Sequence, residues 1–226
     1  MLKAVIFDLD NTLVNFWKFK QESAREAAKA MISAGLEMKE ESIYHLIFKI
    51  YQERGVEYQF VFTDLLKPFA FEKVKFERIR DAAIVAYLRK KGQVLRPYPG
   101  IIETLTALKS SYRLAVLTDA ARDQAHSRLN FTGLSEYFEA VGTLHDTNVY
   151  KPGVEPFLAI CKKLGVEPSE CLMVGDNPAR DMAGAHAVGM KTCLAKYDPY
   201  FEKAGPLPDY EIDKPEKLLE IVKRIG

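Results

Sequence analysis

The stretch that decides the fold is Lys3–Leu13, with the sequence KAVIFDLDNTL, near the start of the 226-residue chain. Residues 5–7 are β-branched or aromatic, which is typical of a strand that is buried on both faces of a parallel sheet. Asp8 and Asp10 follow where such a strand leaves the sheet, and ligands of open α/β sheets bind at this edge. Alternation along an extended chain places both carboxylates on one side, where they repel each other unless a cation or a proton lies between them. The pair therefore predicts a metal, a shared proton or both.

A single aspartate after a strand is most often a turn former or the N-cap of the next helix, so the first motif alone does not identify a site. Three more segments change that balance, because they also place polar groups at the ends of apolar strands or before helices. They are Leu114–Asp119 (LAVLTD), Tyr150–Pro152 (YKP) and Cys171–Asp181 (CLMVGDNPARD).

Each of these segments has a competing interpretation. The Thr118 hydroxyl and free backbone N–H groups suit a phosphate oxygen, but capping of the helix that begins near Ala120 explains Thr118 and Asp119 equally well. Most lysines placed like Lys151 are simply solvated. Gly175 permits close backbone approach at a strand end that carries acids. The four segments therefore gain their weight from occurring together.

Taken together, the four segments resemble the signature motifs of the haloacid dehalogenase (HAD) superfamily of phosphotransferases. The resemblance covers residues 1–14 and about 95–226, and it says less about the stretch between them. Asp8 and Asp10 match the DxD motif of the family, Thr118 its hydroxyl motif, Lys151 its motif lysine, and Asp176 with Asp181 its acidic motif.

The resemblance implies an α/β fold, with a Rossmann-like parallel sheet, helices on both faces, and the strands before residues 118 and 176 on either side of the first strand. Residues 1–14 and 95–226 are expected to form this core domain, and residues 15–94 a small all-helical cap domain. The pattern of the chain agrees, because short apolar strands alternate with helical stretches from Arg96 onward. Before that point the spacing is helical, in runs near 16–34, 40–53, 57–67 and 71–91.

The activity that the resemblance implies is hydrolysis of a small phosphate monoester through an aspartyl-phosphate intermediate. Asp8 is the expected nucleophile. Asp10 is expected to protonate the leaving oxygen and then to take a proton from the attacking water. Thr118 and Lys151 are expected to offset the negative charge of the phosphoryl group.

The cofactor that the resemblance implies is Mg²⁺, held by Asp8, Asp176 and the backbone carbonyl of Asp10, because hard cations prefer oxygen ligands. Three further residues are expected to support the site: Asp181, Asp119 and Asn177, with the role of the Asp119 side chain left open. Asn15 and Trp17 lie nearest in sequence to the nucleophile within the inserted region, and we predict that they contact substrate. For the other aromatic residues of that region, packing between helices is the favoured interpretation.

Other activities stay open at this point. A sugar phosphomutase shares every motif, and only product analysis separates it from a phosphatase. A 2-haloacid dehalogenase shares the aspartate nucleophile, but Asp10 and Asp176 argue against it. A phosphonatase needs a cap lysine that forms a Schiff base, for which Lys18 or Lys20 are the nominees. The non-enzymatic alternative is a non-catalytic interaction module.

Composition limits the partners. The 32 Lys and Arg side chains nearly balance the 31 Asp and Glu side chains, and a net charge of +1 argues against a nucleic-acid footprint. No apolar stretch approaches the roughly 18 residues of a membrane span, and no secretory signal pattern stands out, so we expect a cytoplasmic protein without membrane association. The expected partner is a small phosphorylated metabolite, and the expected state is a monomer or homodimer. The three cysteines sit in apolar patterns that favour buried thiols over disulfides.

Overall fold

The structure is a computed structural model that describes residues 1–197 and 204–226. It divides the chain into two compact units. The α/β unit consists of Met1–Asn15 and Arg96–Gly226, and the helical unit consists of Phe16–Leu95.

The α/β unit is built on a parallel sheet. Its strands are β1 (Ala4–Phe7), β2 (Arg113–Leu117), β3 (Ala140–Gly142), β4 (Cys171–Gly175), β5 (Lys191–Ala195) and β6 (Tyr210–Ile212). Over residues 1–197 and 204–226 these six strands form one sheet in the order β3-β2-β1-β4-β5-β6, and every neighbouring pair is parallel. The predicted α/β fold class is therefore confirmed, with β2 and β4 on either side of β1 as expected.

The centre of the sheet is fully buried. Every residue of β1 and of β4 is buried, as their uninterrupted apolar sequences indicate. Because the strands are parallel, the carboxyl ends of β1, β2 and β4 meet at one edge. The motif residues that follow these three strands are thereby brought to that edge.

The helical unit contains four α-helices: α1 (Phe16–Ser33), α2 (Glu40–Arg54), α3 (Val61–Leu66) and α4 (Lys73–Val94). Small and aliphatic residues of α1, including Ala27 and Met31, form its core with Ile43 and Ile47 of α2. The predicted run at 57–67 is shortened to α3, because the chain turns after Gly55, which has a positive φ of 93°. The aromatic residues Tyr58, Phe62, Phe69 and Phe71 belong to this core or pack against it, as the favoured interpretation predicts. For Phe60 that prediction is wrong, because 62% of this residue is exposed.

The helices of the α/β unit pack on the sheet. One helix, α8 (Val154–Leu164), packs on β1 through side chains three or four residues apart. Its Phe157, Ile160 and Leu164 form a core cluster with Ala4 and Ile6 of β1. The α-helices of the α/β unit are α5 (Ile101–Lys109), α6 (Arg122–Phe131), α7 (Leu144–Thr147), α8 (Val154–Leu164), α9 (Ala183–Ala187) and α10 (Leu218–Ile225). Among the described helices, none is long and apolar enough to cross a membrane.

The cysteines are buried free thiols, which confirms the sequence prediction for them. Cys161 lies on α8 and Cys171 begins β4, and their sulfur atoms are 3.7 Å apart. Burial raises the pKa of the Cys193 thiol to about 12, so this side chain behaves as a small apolar group.

The short helix α7 was not predicted from the sequence. Thr143 precedes it, and both its backbone N–H and its hydroxyl donate to Asp146 Oδ2, at 2.7 and 2.8 Å. This arrangement is of the capping-box type, for which the spacing T-x-x-D is the sequence signal. Four residues are too few for hydrophobic periodicity, so that signal is the only one the sequence offers for α7.

Asp146 is expected to contribute to stability in a pH-dependent way. Burial would raise the pKa of this carboxyl group, but hydrogen bonds from Lys163 and Thr143 outweigh it and hold the pKa below its ordinary value. A carboxylate with a lowered folded-state pKa stabilises the protein above its unfolded pKa of about 3.9, and this stabilisation is lost as the pH falls. We expect Asp146→Asn to lower the free energy of unfolding at neutral pH by about 1–3 kcal/mol.

Urea denaturation of wild type and variant at neutral and at acidic pH tests this expectation. The difference in unfolding free energy should shrink once the pH is below about 4. The exposed Glu136 provides the control, because Glu136→Gln removes a carboxylate from the same unit and should leave the stability unchanged. An equal loss for Asp146→Asn at both pH values would contradict the role assigned to its charge.

Candidate active site

Asp8 lies at the carboxyl end of β1 and is nearly buried, with 7% of its surface exposed. Its backbone N–H donates to Val174 O at 2.8 Å, so the backbone of Asp8 is still hydrogen-bonded to the neighbouring strand β4. Its side chain contacts two groups: the Thr12 hydroxyl at 3.4 Å from Oδ2 and the Lys151 ammonium at 2.6 Å from Oδ1. The carboxylate is therefore fixed in position beside a cation.

The Lys151 side chain forms hydrogen bonds with the last residue of β2 and with residues that follow β1 and β4. Its Nζ donates to Asp8 Oδ1 and Asp181 Oδ1, at 2.6 Å each, and to Leu117 O at 3.0 Å. Burial alone would lower the pKa of this ammonium group, but the carboxylates of Asp181 and Asp8 outweigh it and raise the pKa above its ordinary value. Lys151 is thus a permanent positive charge at the sheet edge.

Asp181 is brought to Lys151 by the chain that follows β4. Residues Pro178–Met182 form a π-helical turn, a rare feature that is frequently found at functional sites. The Asn177 backbone N–H donates to Asp181 Oδ2 at 3.0 Å. Burial raises the pKa of the Asp181 carboxyl group, although the Lys151 ammonium acts against that rise. A Cβ atom at Gly175 would lie 2.4 Å from Asp181 Oδ2, so glycine is required for this close approach, as the sequence indicates.

The side chain of Asp119, whose role the sequence left open, holds the loop that carries the motif lysine. Its Oδ1 accepts a hydrogen bond from the Lys151 backbone N–H at 2.9 Å, and its other oxygen pairs with Arg180. Thr118 is buried, and its hydroxyl oxygen accepts a hydrogen bond from the Ala120 backbone N–H at 3.2 Å. Both side chains therefore stabilise the turn after β2. The capping interpretation of Thr118 and Asp119 is wrong, because the helix that follows begins at Arg122 with Ala121 as its N-cap and no side-chain cap hydrogen bond. The Thr118 hydroxyl can also donate a hydrogen bond, because a hydroxyl is both a donor and an acceptor.

Asp10 pairs with an arginine that the sequence reasoning missed. Arg128 Nη1 lies 2.5 Å from Asp10 Oδ2, across 118 residues of sequence. Arg128 is 1% exposed and lies on the buried side of α6 with Ala125 and Leu129. The sequence does contain a signal for this burial. Arg128 lies three residues after Ala125 and next to Leu129, at a position of the helix where an apolar residue is expected.

The two predicted substrate contacts lie in different units. Asn15 belongs to the α/β unit, where its Oδ1 accepts a hydrogen bond from the Arg96 backbone N–H at 2.9 Å and its own N–H donates to Arg96 O at 3.1 Å. Trp17 belongs to the helical unit, where its ring stacks on Phe48 with 6.0 Å between the ring centres. The structure thus gives each of them a contact within its own unit.

Oxygen atoms suited to a metal ion converge beside Lys151. One carboxylate oxygen from each of Asp8, Asp176 and Asp181 lies within 4.8 Å of the other two. An all-oxygen set of this kind fits a hard divalent cation, and it does not fit metals that select sulfur or imidazole ligands. Among the described residues, Lys151 is the cation that pairs with both Asp8 and Asp181, and its one positive charge does not balance these two carboxylates, so the charge of this pair also favours a further cation.

Comparisons with known proteins agree with this geometry. Residues 5–195 match the family model described as haloacid dehalogenase-like hydrolase. The chain is similar to the glyceraldehyde 3-phosphate phosphatase of Methanopyrus kandleri, with 33% identity over all of this chain and 99% of that protein. It is also similar to the phosphoglycolate phosphatase of Aquifex aeolicus, with 29% identity over 98% of this chain and 97% of that protein.

A solved structure has the same fold. The crystal structure of a HAD phosphatase from Thermococcus onnurineus superposes with a TM-score of 0.71 and 28% identity, covering 98% of each chain. The family match spans the ends of β1, β2 and β4 together with Lys151, which are the segments that build the acidic edge. This chain is an enzyme that belongs to the haloacid dehalogenase-like hydrolase family.

Proposed function

We propose that this enzyme is a Mg²⁺-dependent phosphatase that hydrolyses a small phosphate monoester through an aspartyl-phosphate on Asp8. The observation that carries the proposal is the buried contact between Lys151 Nζ and Asp8 Oδ1, at 2.6 Å, at the edge where the other motif acids lie. A carboxylate can approach an anionic phosphate ester only where fixed positive charge offsets the repulsion. The family relatives, which are phosphatases by name, support the same assignment.

Asp8 and Asp10 divide the chemistry between them. In the first step an Asp8 oxygen forms a bond to phosphorus, the bond from phosphorus to the leaving oxygen breaks, and Asp10 gives that oxygen its proton. In the second step water attacks phosphorus, its proton passes to Asp10, and the bond to Asp8 breaks. The products are an alcohol and inorganic phosphate, and both side chains return to their starting states.

Lys151 and Thr118 bind the transferring phosphoryl group. The Lys151 ammonium offsets negative charge on Asp8 and on the phosphoryl oxygens, and the Thr118 hydroxyl donates to one of these oxygens. Asp119 supports this arrangement through the Lys151 backbone, and Asn177 through the Asp181 carboxylate.

Asp8, Asp176 and the Asp10 backbone carbonyl are the groups that would hold Mg²⁺. When bound, the ion offsets the charge of the phosphoryl oxygens and so favours attack by a carboxylate. Asp181 is paired with Lys151 at 2.6 Å, which suits it to a supporting role.

The helical unit is proposed to be the cap domain of the family, with residues 15–94 as the insertion after the DxD motif. In that role the inserted segment excludes water during the reaction and supplies substrate contacts. The nominees for these contacts are Trp17 of the helical unit and Asn15, which the structure assigns to the α/β unit. The names of the two relatives described above denote short phosphorylated carbon compounds, which supports a small phosphorylated metabolite as the proposed substrate. The proposed enzyme acts in the cytoplasm as a monomer or homodimer.

A screen of phosphorylated metabolites with Mg²⁺ tests the proposal. We expect release of inorganic phosphate from at least one short-chain phosphate ester by the wild type, and none by Asp8→Asn. Products are analysed in parallel for isomerised sugar phosphates and, with 2-haloacids as substrates, for released halide. An isomer without free phosphate would replace the phosphatase proposal by the mutase alternative, and halide release by the dehalogenase alternative.

A further inference from the structure

Arg128 is the largest side chain among those that are fully buried in the described part of the chain. In its guanidinium group, Nη1 donates to Asp10 Oδ2 at 2.5 Å and Nη2 donates to Gln124 Oε1 at 3.1 Å. Gln124 lies one turn earlier on the same helix, α6. The guanidinium is therefore fixed between its own helix and the DxD motif.

Burial of the charged Arg128 side chain costs free energy that burial of an apolar side chain would not cost. An arginine stays charged inside the protein, and removing that charge from water costs several kcal/mol, which the ion pair with Asp10 only partly offsets. An apolar residue at position 128 would pack beside Ala125 and Leu129 without that cost. What the arginine adds is a planar, directed contact to one carboxylate oxygen.

Asp10 needs such a contact because its backbone has left the sheet. Strand β1 ends at Phe7, and the next residue after Asp10, Asn11, has a positive φ of 62° in the turn that leads to Val14. The Asp10 side chain is 21% exposed, so the packing around it restrains its rotation less than at Asp8, where the side chain is 10% exposed. A carboxyl group that transfers a proton has to be held within hydrogen-bond reach of the oxygen concerned.

We propose that Arg128 is a positioning residue that fixes the orientation of the Asp10 carboxyl group for proton transfer to the leaving oxygen. Gln124 in turn holds the guanidinium in place. The proposal rests on the phosphatase function proposed above. It assigns a role in the reaction to two residues of α6, Arg128 and Gln124, which lie outside the motifs and act through Asp10.

The dependence of the rate on the leaving group distinguishes positioning from a general structural role. An alkoxide needs a proton as it leaves, whereas nitrophenolate is a stable anion that leaves without one. Loss of a well-placed acid therefore slows an alkyl phosphate far more than p-nitrophenyl phosphate in kcat/KM, which reports the steps up to the first irreversible one. Damage to folding or to phosphate binding slows both substrates alike.

The test measures kcat/KM of Arg128→Met for p-nitrophenyl phosphate and for the alkyl phosphate that the screen finds to be turned over fastest. We expect a loss of about 10- to 100-fold for the alkyl phosphate and of less than about threefold for the aryl ester. Gln124→Met should show the same selectivity with a smaller loss. Arg113→Met is the matched control, because Arg113 begins β2 at the opposite end of the strand and pairs with the exposed Glu139, and it should leave both rates unchanged.

A double-mutant cycle with Asp10→Asn completes the test. Since Arg128 acts through Asp10, adding Arg128→Met to Asp10→Asn should cause no further selective loss. Equal losses on both substrates, or a further selective loss in the double variant, would overturn the inference. If Arg128→Met does not fold, Arg128→Lys is judged by the same two criteria.

The outcomes also separate this inference from the function on which it rests. If the wild type hydrolyses no phosphate ester, or if Asp10→Asn leaves the alkyl phosphate rate intact, the proposed function fails. If wild type and Asp10→Asn behave as proposed and the Arg128 variants show no leaving-group selectivity, only the positioning role fails.

Discussion

Replacement of Asp8 by asparagine is expected to abolish turnover of every phosphate ester that the wild type hydrolyses. The substitution keeps the size and shape of a side chain that is 7% exposed, but an amide does not attack phosphorus. It also replaces the oxygen partner of Lys151 by a neutral group, so the ammonium keeps Asp181 as its charged partner. We expect a loss of at least about 10⁴-fold in kcat.

Two measurements check the role of Asp8. Phosphate release gives kcat, and intact mass after acid quenching shows whether a phosphoryl adduct forms on the wild type and is missing from Asp8→Asn. Thermal unfolding confirms that the variant is folded, and Asp123→Asn on the exposed side of α6 serves as the control carboxylate. A variant with activity within about tenfold of the wild type would contradict a nucleophilic Asp8.

Removal of divalent metal is expected to abolish turnover as completely as Asp8→Asn. Asp8, Asp176 and Asp181 bring carboxylate oxygens within 4.8 Å of one another, and Lys151 pairs with Asp8 and Asp181. Without a further cation, the repulsion between this cluster and an anionic substrate opposes binding and attack. We expect EDTA to remove activity, added Mg²⁺ to restore it, and Asp176→Asn to raise the Mg²⁺ concentration for half activity by about 10- to 100-fold.

Thermal stability provides a readout of metal binding that does not depend on activity. A ligand that binds only the folded state stabilises it by an amount that grows with the logarithm of its concentration relative to Kd, so Mg²⁺ should raise the unfolding temperature of the wild type and should have a weaker effect on Asp176→Asn at the same concentration. The same titration with Asp123→Asn should match the wild type. Full activity in EDTA would exclude the metal from the mechanism.

The sequence predicted the parts of the site that lie directly after strands. Apolar runs mark β1, β2 and β4, so local patterns place Asp8 and Asp176 after strands. The placement of β2 and β4 beside β1, and with it the convergence of Asp8 and Asp176 at one edge, was expected from the family resemblance. The position of Lys151 was expected from the family resemblance alone, because a lysine in a turn has no distinguishing pattern.

The parts that could not be predicted depend on contacts between distant segments. Asp10 and Arg128 are 118 residues apart, and the helix α6 that brings them together is mostly polar, so its buried side is not evident from its composition. The contact of Asp119 with the Lys151 backbone is likewise set by how the two loops meet. Such contacts follow from the assembled fold and leave no periodic signal in the chain.

The paired hydrogen bonds between Asn15 and Arg96 have an evolutionary consequence. They hold side by side the two points at which the chain leaves the α/β unit, at Asn15, and re-enters it, at Arg96. The adjacent residues Val14 and Pro97 form a β-bridge. A segment of almost any length can therefore depart from and rejoin the α/β unit without distorting the strand that ends at Phe7, since doubling a loop adds only about 0.6 kcal/mol of closure cost. The intervening segment could thus change during evolution while the strand ends that carry Asp8 and Asp176 keep their arrangement.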